Sequence, residues 1–163
     1  MVGRVIVGVD GSWGSIEALR WAAKHGGQTD GIIDAVSAWP SEFGYVTHPP
    51  IAAPGLAMGT AAAAAAEVDQ ALAAEATEIA QRSVILAEVV EVPIRIRVVR
   101  GPAASVLLQL AGPDDMLVVG ASRHRAMVGL VTGSVALHLV ARARCPVVVV
   151  RGDRKGHGRA TNE

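Results

Sequence analysis

Short runs of branched aliphatic residues alternate along this chain with longer segments in which apolar residues recur every three or four positions. The short runs are typical of buried strands in a parallel sheet, and the longer segments are typical of helices with one apolar face. The pattern predicts five strands and four helices in strict alternation, beginning with a strand. The predicted strands cover residues 2–9, 32–39, 92–99, 116–119 and 147–150.

The predicted strand at 92–99 differs from the others because it alternates apolar with charged residues. Arg95 and Arg97 lie between isoleucines and a valine, which predicts a strand with one polar face at an edge of the sheet. Strict alternation of strands and helices implies right-handed crossovers. The sequence therefore predicts an α/β fold: a flavodoxin-like or Rossmann-like, doubly wound sheet of five parallel strands with four helices. The first and fourth strands are expected to be neighbours.

Two segments interrupt this alternation. Residues 40–59 hold four of the eight prolines, together with the only Phe and the only Tyr. They predict an irregular loop, and whether it acts as a lid or has no role stays open at this point. Residues 152–163 have almost no apolar content and predict a disordered tail, so the predicted domain spans residues 1–151.

Composition narrows the possible function classes. The chain is 51% hydrophobic but only 3% aromatic, so it predicts a folded, aliphatic core. Its 15 basic and 15 acidic residues leave no net charge that would attract nucleic acid. The single Cys145 excludes a disulfide framework, and neither a membrane span nor a secretory signal is visible. We therefore expect a cytoplasmic protein without a nucleic-acid or membrane partner.

A glycine-bearing loop follows the strand at 116–119 and leads into a helix that opens with Gly133 and Ser134. Glycines let the backbone approach a phosphate closely, and the N–H groups of a first helical turn carry the positive end of the helix dipole. Asp10 and Gly120 each follow a central strand, so we expect them to flank one crevice. The chain contains neither a P-loop nor a dinucleotide-binding glycine motif.

Three stretches of the chain resemble the universal stress protein family. They are VIVGVDGS near the start, VVRGPAASVLLQLAGPDDMLVVGAS in the second half and GLVTGSVALHLVARARCPVVVV near the end. In the ATP-binding branch of that family, a glycine, two residues, a second glycine and nine residues precede Gly-Ser or Gly-Thr. The resemblance places this pattern on Gly120 and on Gly133-Ser134, with a further loop glycine at Gly129. The second motif glycine falls on Arg123, where this sequence departs from the pattern.

The resemblance implies a site for ATP, alone or with Mg²⁺. It implies that Asp10 lines the nucleotide crevice, that backbone near Ala38 holds the adenine and that Ser134 contacts phosphate. Asp10 is also interpretable as a turn residue and Ser134 as an ordinary helix cap, so both alternatives stay open. Arg123 either blocks the phosphates or binds them through charge-assisted hydrogen bonds.

The function implied by the resemblance is that of a stress-response sensor or regulator that binds ATP with little or no hydrolysis. No general base is apparent, so no catalytic residue is assigned. The alternative, favoured by Arg123, is a universal stress protein without nucleotide that acts as a dimeric protein-interaction module. A flavin-binding electron carrier is a third interpretation, which the scarcity of aromatic residues disfavours.

Two further expectations concern assembly and metals. The apolar strand at Val147–Val150 would be an exposed edge if alone, which invites pairing. The family commonly dimerises through this region, so we expect a homodimer. No metal site is predicted, because His124 and His138 lack partners at ligand spacing.

Overall fold

The computed structural model describes residues 3–26, 32–39, 58–89, 92–121 and 134–152. In these ranges strands and helices alternate without exception, and the strands form one parallel sheet in the order β3-β2-β1-β4-β5. The predicted α/β fold with five parallel strands and four helices is therefore confirmed. The elements are β1 (Val5–Gly8), α1 (Trp13–Gly26), β2 (Ile33–Trp39), α2 (Met58–Ala87), β3 (Ile94–Arg100), α3 (Ala103–Leu110), β4 (Met116–Gly120), α4 (Ser134–Arg142) and β5 (Val147–Val150).

The chain reverses its winding between β1 and β4, which lie side by side as predicted. Their pairing aligns Val5 with Met116 and Val7 with Val118. Successive side chains of a strand point to opposite faces. Val7 and Val118 pack on the α1 and α2 side of the sheet, whereas Leu117 packs against α3 and α4. Both faces are therefore covered, which explains why these strands are apolar throughout.

The two edges of the sheet are β3 and β5. The edge position predicted for the alternating strand is confirmed, although β3 covers Ile94–Arg100 and so begins two residues later than expected. The α2 helix packs against β3 and β2, and α1 contacts α2, β4 and β5. The β5 edge is made of four half-buried valines.

The α2 helix begins at Met58, two residues before the predicted start. Helical spacing predicts an apolar stripe through Val68, Leu72, Ala76, Ile79, Ser83 and Leu86. Ala76 and Ser83 of that stripe are buried, whereas Val68 and Leu86 are exposed. The buried stripe is made of small side chains, which lets the helix lie close to the sheet. The stripe consists of Ala76, Ala80, Ser83 and Ala87.

Two predicted segments lie outside the described residues, and both stay predictions. They are residues 40–57 of the irregular loop and residues 153–163 of the tail. Among the helices that the structure describes, none combines the length and the apolar character that crossing a membrane requires.

Candidate functional site

A pocket of about 230 Å³ opens at the carboxyl ends of β1, β2 and β4. Its apolar wall is formed by Val36 of β2, Val119 of β4 and Leu107 of α3. All three side chains are buried in the core beneath the pocket. The pocket lies where the winding of the sheet reverses, which is the place where open α/β sheets bind ligands.

Four residues named from the sequence line this pocket: Asp10, Ala38, Gly120 and Ser134. The expectation that Asp10 and Gly120 flank one crevice matches this geometry. The other three, Arg123, Gly129 and Gly133, lie outside the described residues. A nucleotide-binding role for any of the seven stays a prediction.

The turn between β1 and α1 is built from short side-chain hydrogen bonds. The Ser12 backbone N–H donates to Asp10 Oδ1 at 3.0 Å, which is an Asx turn. The Ser15 backbone N–H donates to Ser12 Oγ at 3.2 Å, so Ser12 caps α1. Gly11, between them, has a φ of +76°, a conformation that favours glycine. Asp10 is thus a turn residue whose exposed carboxylate also borders the pocket.

Gly120 is in contact with the first turn of α1. A methyl group at this position would lie 2.3 Å from the carbonyl carbon of Gly14 and 2.6 Å from the backbone nitrogen of Ser15. Gly14 has less room than an ordinary residue as well, since a methyl group there would lie 3.1 Å from the carbonyl oxygen of Ala121. The two glycines let the end of β4 and the start of α1 touch backbone to backbone, and this contact forms one side of the pocket.

Three helices begin at the pocket. Ser12 caps α1, Ala103 is the first residue of α3, and residues 134–136 are the first turn of α4, and all of them line it. The α3 helix follows Pro102, which makes no side-chain capping hydrogen bond. The N–H groups of a first helical turn have no partner within the helix, and the helix dipole places positive charge there. This end of the sheet therefore favours a negatively charged group.

The described lining combines this positive potential with few charged side chains. Asp10 is the one ionisable residue among the described residues that line the pocket, and Ser12, Ser15 and Ser134 add hydroxyl groups. Such a lining suits a ligand with a flat apolar part, hydroxyl groups and an anionic end. Because ligand pockets usually measure roughly 300–1,000 Å³, a nucleotide-sized ligand would extend beyond this cavity of about 230 Å³.

Several residues of the site were not identified from the sequence, among them Ser15 and Leu107, which line the pocket, and Gly14, which packs against Gly120. Gly14 carried a usable signal, because glycine in the first turn of a helix lowers helix propensity and needs a packing reason. Leu107 carried none, since it resembles any apolar residue of a helix.

Metal binding and thiol chemistry are less well supported by the described residues. The described residues contain no group of three or more His, Cys, Asp or Glu side chains that could hold a metal ion. Burial raises the pKa of the Cys145 thiol, so its thiolate fraction at neutral pH is small.

Comparison with known proteins gives concordant matches. Residues 1–151 match the universal stress protein family. A universal stress protein of Mycobacterium tuberculosis (strain ATCC 25618 / H37Rv) is 30% identical over 149 residues, or 90% of this chain. The chain spans about half the length of that relative, 47%.

Solved structures share the fold at lower identity. Universal stress protein UspA from Lactobacillus plantarum has a TM-score of 0.69 and 20% identity, covering 92% of this chain and 98% of its own. A universal stress protein family protein from Arabidopsis thaliana with AMP bound has a TM-score of 0.55 and 19% identity, covering 97% of each chain. The architecture described above is therefore a known one.

Proposed function

The chain belongs to the universal stress protein family, and we propose that its pocket binds ATP and that the protein acts as a stress-response sensor or regulator. The observation that carries this proposal is the meeting of three helix N-termini over an apolar wall at the carboxyl ends of the strands. The AMP bound to the Arabidopsis thaliana protein, which has the same fold, supports an adenine nucleotide as the ligand class.

The chemistry of the lining suggests how the parts of a nucleotide are distributed. The adenine suits the apolar side of the pocket, where the half-buried Ala38 follows the buried part of β2. Asp10 has one oxygen engaged by the Ser12 N–H, which leaves the other as an acceptor for a ribose hydroxyl. The phosphates suit the first turn of α4 at Ser134, where backbone N–H groups and the helix dipole favour anions.

The residues named from the family pattern complete the phosphate end of the proposed site. Gly129, Gly133 and Arg123 stand between β4 and α4 in the sequence. Mg²⁺, where it accompanies ATP, would be held mainly by phosphate oxygens and water, since Asp10 is the one carboxylate in the described lining.

Binding without appreciable hydrolysis fits this lining. Hydrolysis needs a base that orients an attacking water. Asp10 already accepts a hydrogen bond in its own turn, so we assign no catalytic residue. We place the protein in the cytoplasm, where the nucleotide would act through differential affinity for two states of the chain.

Calorimetric titration with MgATP tests the proposal, with a variant that fills the pocket. Ala38→Leu extends a side chain into the cavity and is expected to weaken binding at least about tenfold, through lost space for the base. Ala74→Leu is the matched control, because Ala74 is exposed on α2 away from the pocket. Equal affinity in Ala38→Leu and the wild type, or no heat at millimolar MgATP, would refute the assignment.

A second candidate function, a dimeric protein-interaction module, is favoured by the contrast between the two sheet edges. The β3 edge carries arginines, which discourage edge-to-edge pairing. The β5 edge carries only valines, and next to it Leu137 and Val140 of α4 are 54% and 60% exposed. We therefore propose a homodimer formed through Val147–Val150.

Light scattering, which reports the molecular mass in solution, tests this homodimer. The double change Leu137→Glu with Val140→Glu should yield a monomer, whereas Ile85→Glu, at an exposed position on α2, should leave the dimer intact. Monomers in the wild type at micromolar concentration would overturn the dimer. If the Arg123→Gly variant binds ATP and the wild type does not, the native chain is a protein-interaction module without nucleotide.

A further inference from the structure

A row of charged side chains crosses the amino end of the sheet, at the opposite end from the pocket. Arg95 of β3, Asp34 of β2, Arg4 before β1 and Asp115 before β4 follow each other with alternating sign. Asp34 is fully buried on the face covered by α3 and α4, the face that Val36 shares. A buried carboxylate must be paired, and this row supplies the pairs.

Each oxygen of the two carboxylates in the row accepts at least one short hydrogen bond. Arg95 donates two parallel hydrogen bonds to Asp34, from Nε to Oδ1 at 2.7 Å and from Nη2 to Oδ2 at 2.8 Å. Arg4 binds Asp115 through Nη2 at 2.7 Å and through its backbone N–H at 3.0 Å. The Gly112 N–H donates to Asp115 Oδ2 at 2.8 Å.

A third arginine converges on the same point without a hydrogen bond of its own. Arg97 lies two residues after Arg95 in β3, so both side chains occupy one face of the strand. Its Nη1 stands 3.7 Å from Asp34 Oδ2, and Nη1 of Arg4 stands 3.7 Å from the same oxygen. Neither distance is short enough for a hydrogen bond.

This arrangement leaves an excess of positive charge. Three guanidinium groups meet two carboxylates, and the nearest carboxylate to Arg97 is already bound on both oxygens by Arg95. The hydrogen bond to Asp115 raises the pKa of Arg4, and the positive charge of Arg95 opposes this only weakly. Arg97 is 34% exposed, so its donors can be reached from solvent.

We propose that Arg97 and Arg95, with Arg4 beside them, bind an oxyanion of the phosphate class at the amino end of β3. The planar fork of an arginine matches the oxygens of phosphate, and charge-assisted bonds to it are short and strong. An anion on the solvent side of Asp34 would neutralise the excess charge and give Arg97 the acceptor it lacks. The ligand is inorganic phosphate or the terminal phosphate of a larger molecule, and both present the same oxygens.

Nuclear magnetic resonance of arginine Nε–H groups tests this site separately from the nucleotide pocket. Inorganic phosphate should cause saturable shifts of the Arg97 and Arg95 signals, while chloride at matched ionic strength should not. The Arg82 signal, from an exposed position on α2, is the internal control and should stay unchanged. The titration is repeated with phosphoserine, a phosphomonoester without a nucleoside. Tighter binding of phosphoserine than of inorganic phosphate would identify the terminal phosphate of a larger molecule as the ligand.

Variants complete the test. Arg97→Gln should weaken the phosphate affinity measured at the Arg95 signal at least about tenfold, because it removes a charge-assisted bond. Arg97→Lys keeps the charge but loses the planar guanidinium, so its phosphate affinity should lie between those of the wild type and Arg97→Gln. Arg82→Gln should bind as the wild type does. Shifts that chloride reproduces, or an Arg95 response that survives Arg97→Gln, would overturn the proposal, and neither outcome bears on ATP binding in the pocket.

Discussion

Replacing Gly120 by alanine tests the backbone contact that forms one side of the pocket. The added methyl group would lie 2.3 Å, 2.4 Å and 2.6 Å from the Gly14 carbonyl carbon, the Gly14 carbonyl oxygen and the Ser15 nitrogen. All three atoms are backbone, so no side chain can rotate away. Carbon atoms prefer separations of about 3.5–4.0 Å, which means that the start of α1 must retreat from β4 by about 1 Å or more.

The cost follows from that displacement. Overpacking a well-filled site costs roughly 1–3 kcal/mol, and a clash with backbone belongs at the upper end. We therefore expect Gly120→Ala to lower the free energy of unfolding by about 3 kcal/mol. In a domain of this size about 1 kcal/mol corresponds to about 2–4 °C, so the Tm should fall by about 6–12 °C.

Thermal and urea unfolding, followed by far-ultraviolet circular dichroism, measure the effect. Gly112→Ala is the matched control, because a methyl group there would meet Asp115 Oδ2 at an ordinary 3.4 Å. Its Tm should stay within about 2 °C of the wild type, as for substitutions that disturb no contact. A Gly120→Ala protein as stable as Gly112→Ala would show that the close contact of β4 with α1 does not hold in solution.

Three other perturbations test charges and backbone conformation. Burial alone would raise the pKa of Asp115, but hydrogen bonds from Arg4 and Gly112 hold it below the ordinary 3.8. Ionised Asp115 therefore stabilises the fold above pH 3.8, and this stabilisation is lost as the pH falls through the lower pKa of the folded state. The difference in urea midpoint between the wild type and Asp115→Asn should therefore shrink on acidification. A difference that does not change with pH would contradict this. Asp34→Asn removes the charge of a fully buried carboxylate that the half-exposed Arg95 holds by two hydrogen bonds, and it should cost about 1.5–3 kcal/mol in urea unfolding; a loss below about 0.5 kcal/mol would be inconsistent with the observed geometry. Glu88, just after α2, has a φ of +53°, so Glu88→Gly should raise stability by about 0.5–1 kcal/mol in the same assay, and a lower Tm would argue against strain there.

Local patterns in the sequence were enough to predict the architecture. Runs of valine and isoleucine identify strands covered on both faces, and the alternation around Arg95 and Arg97 identifies an edge. Strict strand–helix alternation then restricts the topology to few arrangements. These signals worked because each depends on the surroundings of one element rather than on the identity of its partner.

The buried side of α2 was predictable only in part. Helical spacing correctly includes Ala76 and Ser83, but it adds Val68 and Leu86, which are exposed, and it omits the buried Ala80 and Ala87. Alanine is accepted at buried and at exposed helix positions alike. In a helix rich in alanine, the alanine positions therefore say little about which face is buried. Close approach of α2 to the sheet depends on these small residues, and only the folded arrangement reveals it.

The sequence was enough to predict some of the residues that line the candidate site, but not the long-range contacts that these residues make. The sequence identifies Gly120 by its place in a family pattern, whereas the structure gives it a second role against Gly14, more than a hundred residues earlier. Asp34 inside an apolar run signals a buried charge, yet its partners depend on strand order and register. Contacts between distant segments are set by tertiary structure, which no local pattern records.

The ionic row and the pocket occupy opposite ends of the same sheet, and this bears on how descendants of the chain can diverge. Turns at the carboxyl ends of β1 and β4 line the pocket, whereas Asp34 and Asp115 form their ion pairs at the amino ends of the strands. A gene copy can therefore change side chains of the pocket lining, other than the close-packed Gly120, while it inherits the stability that the row supplies. Selection for heat resistance can equally proceed among the ion pairs of the row without altering the lining of the pocket.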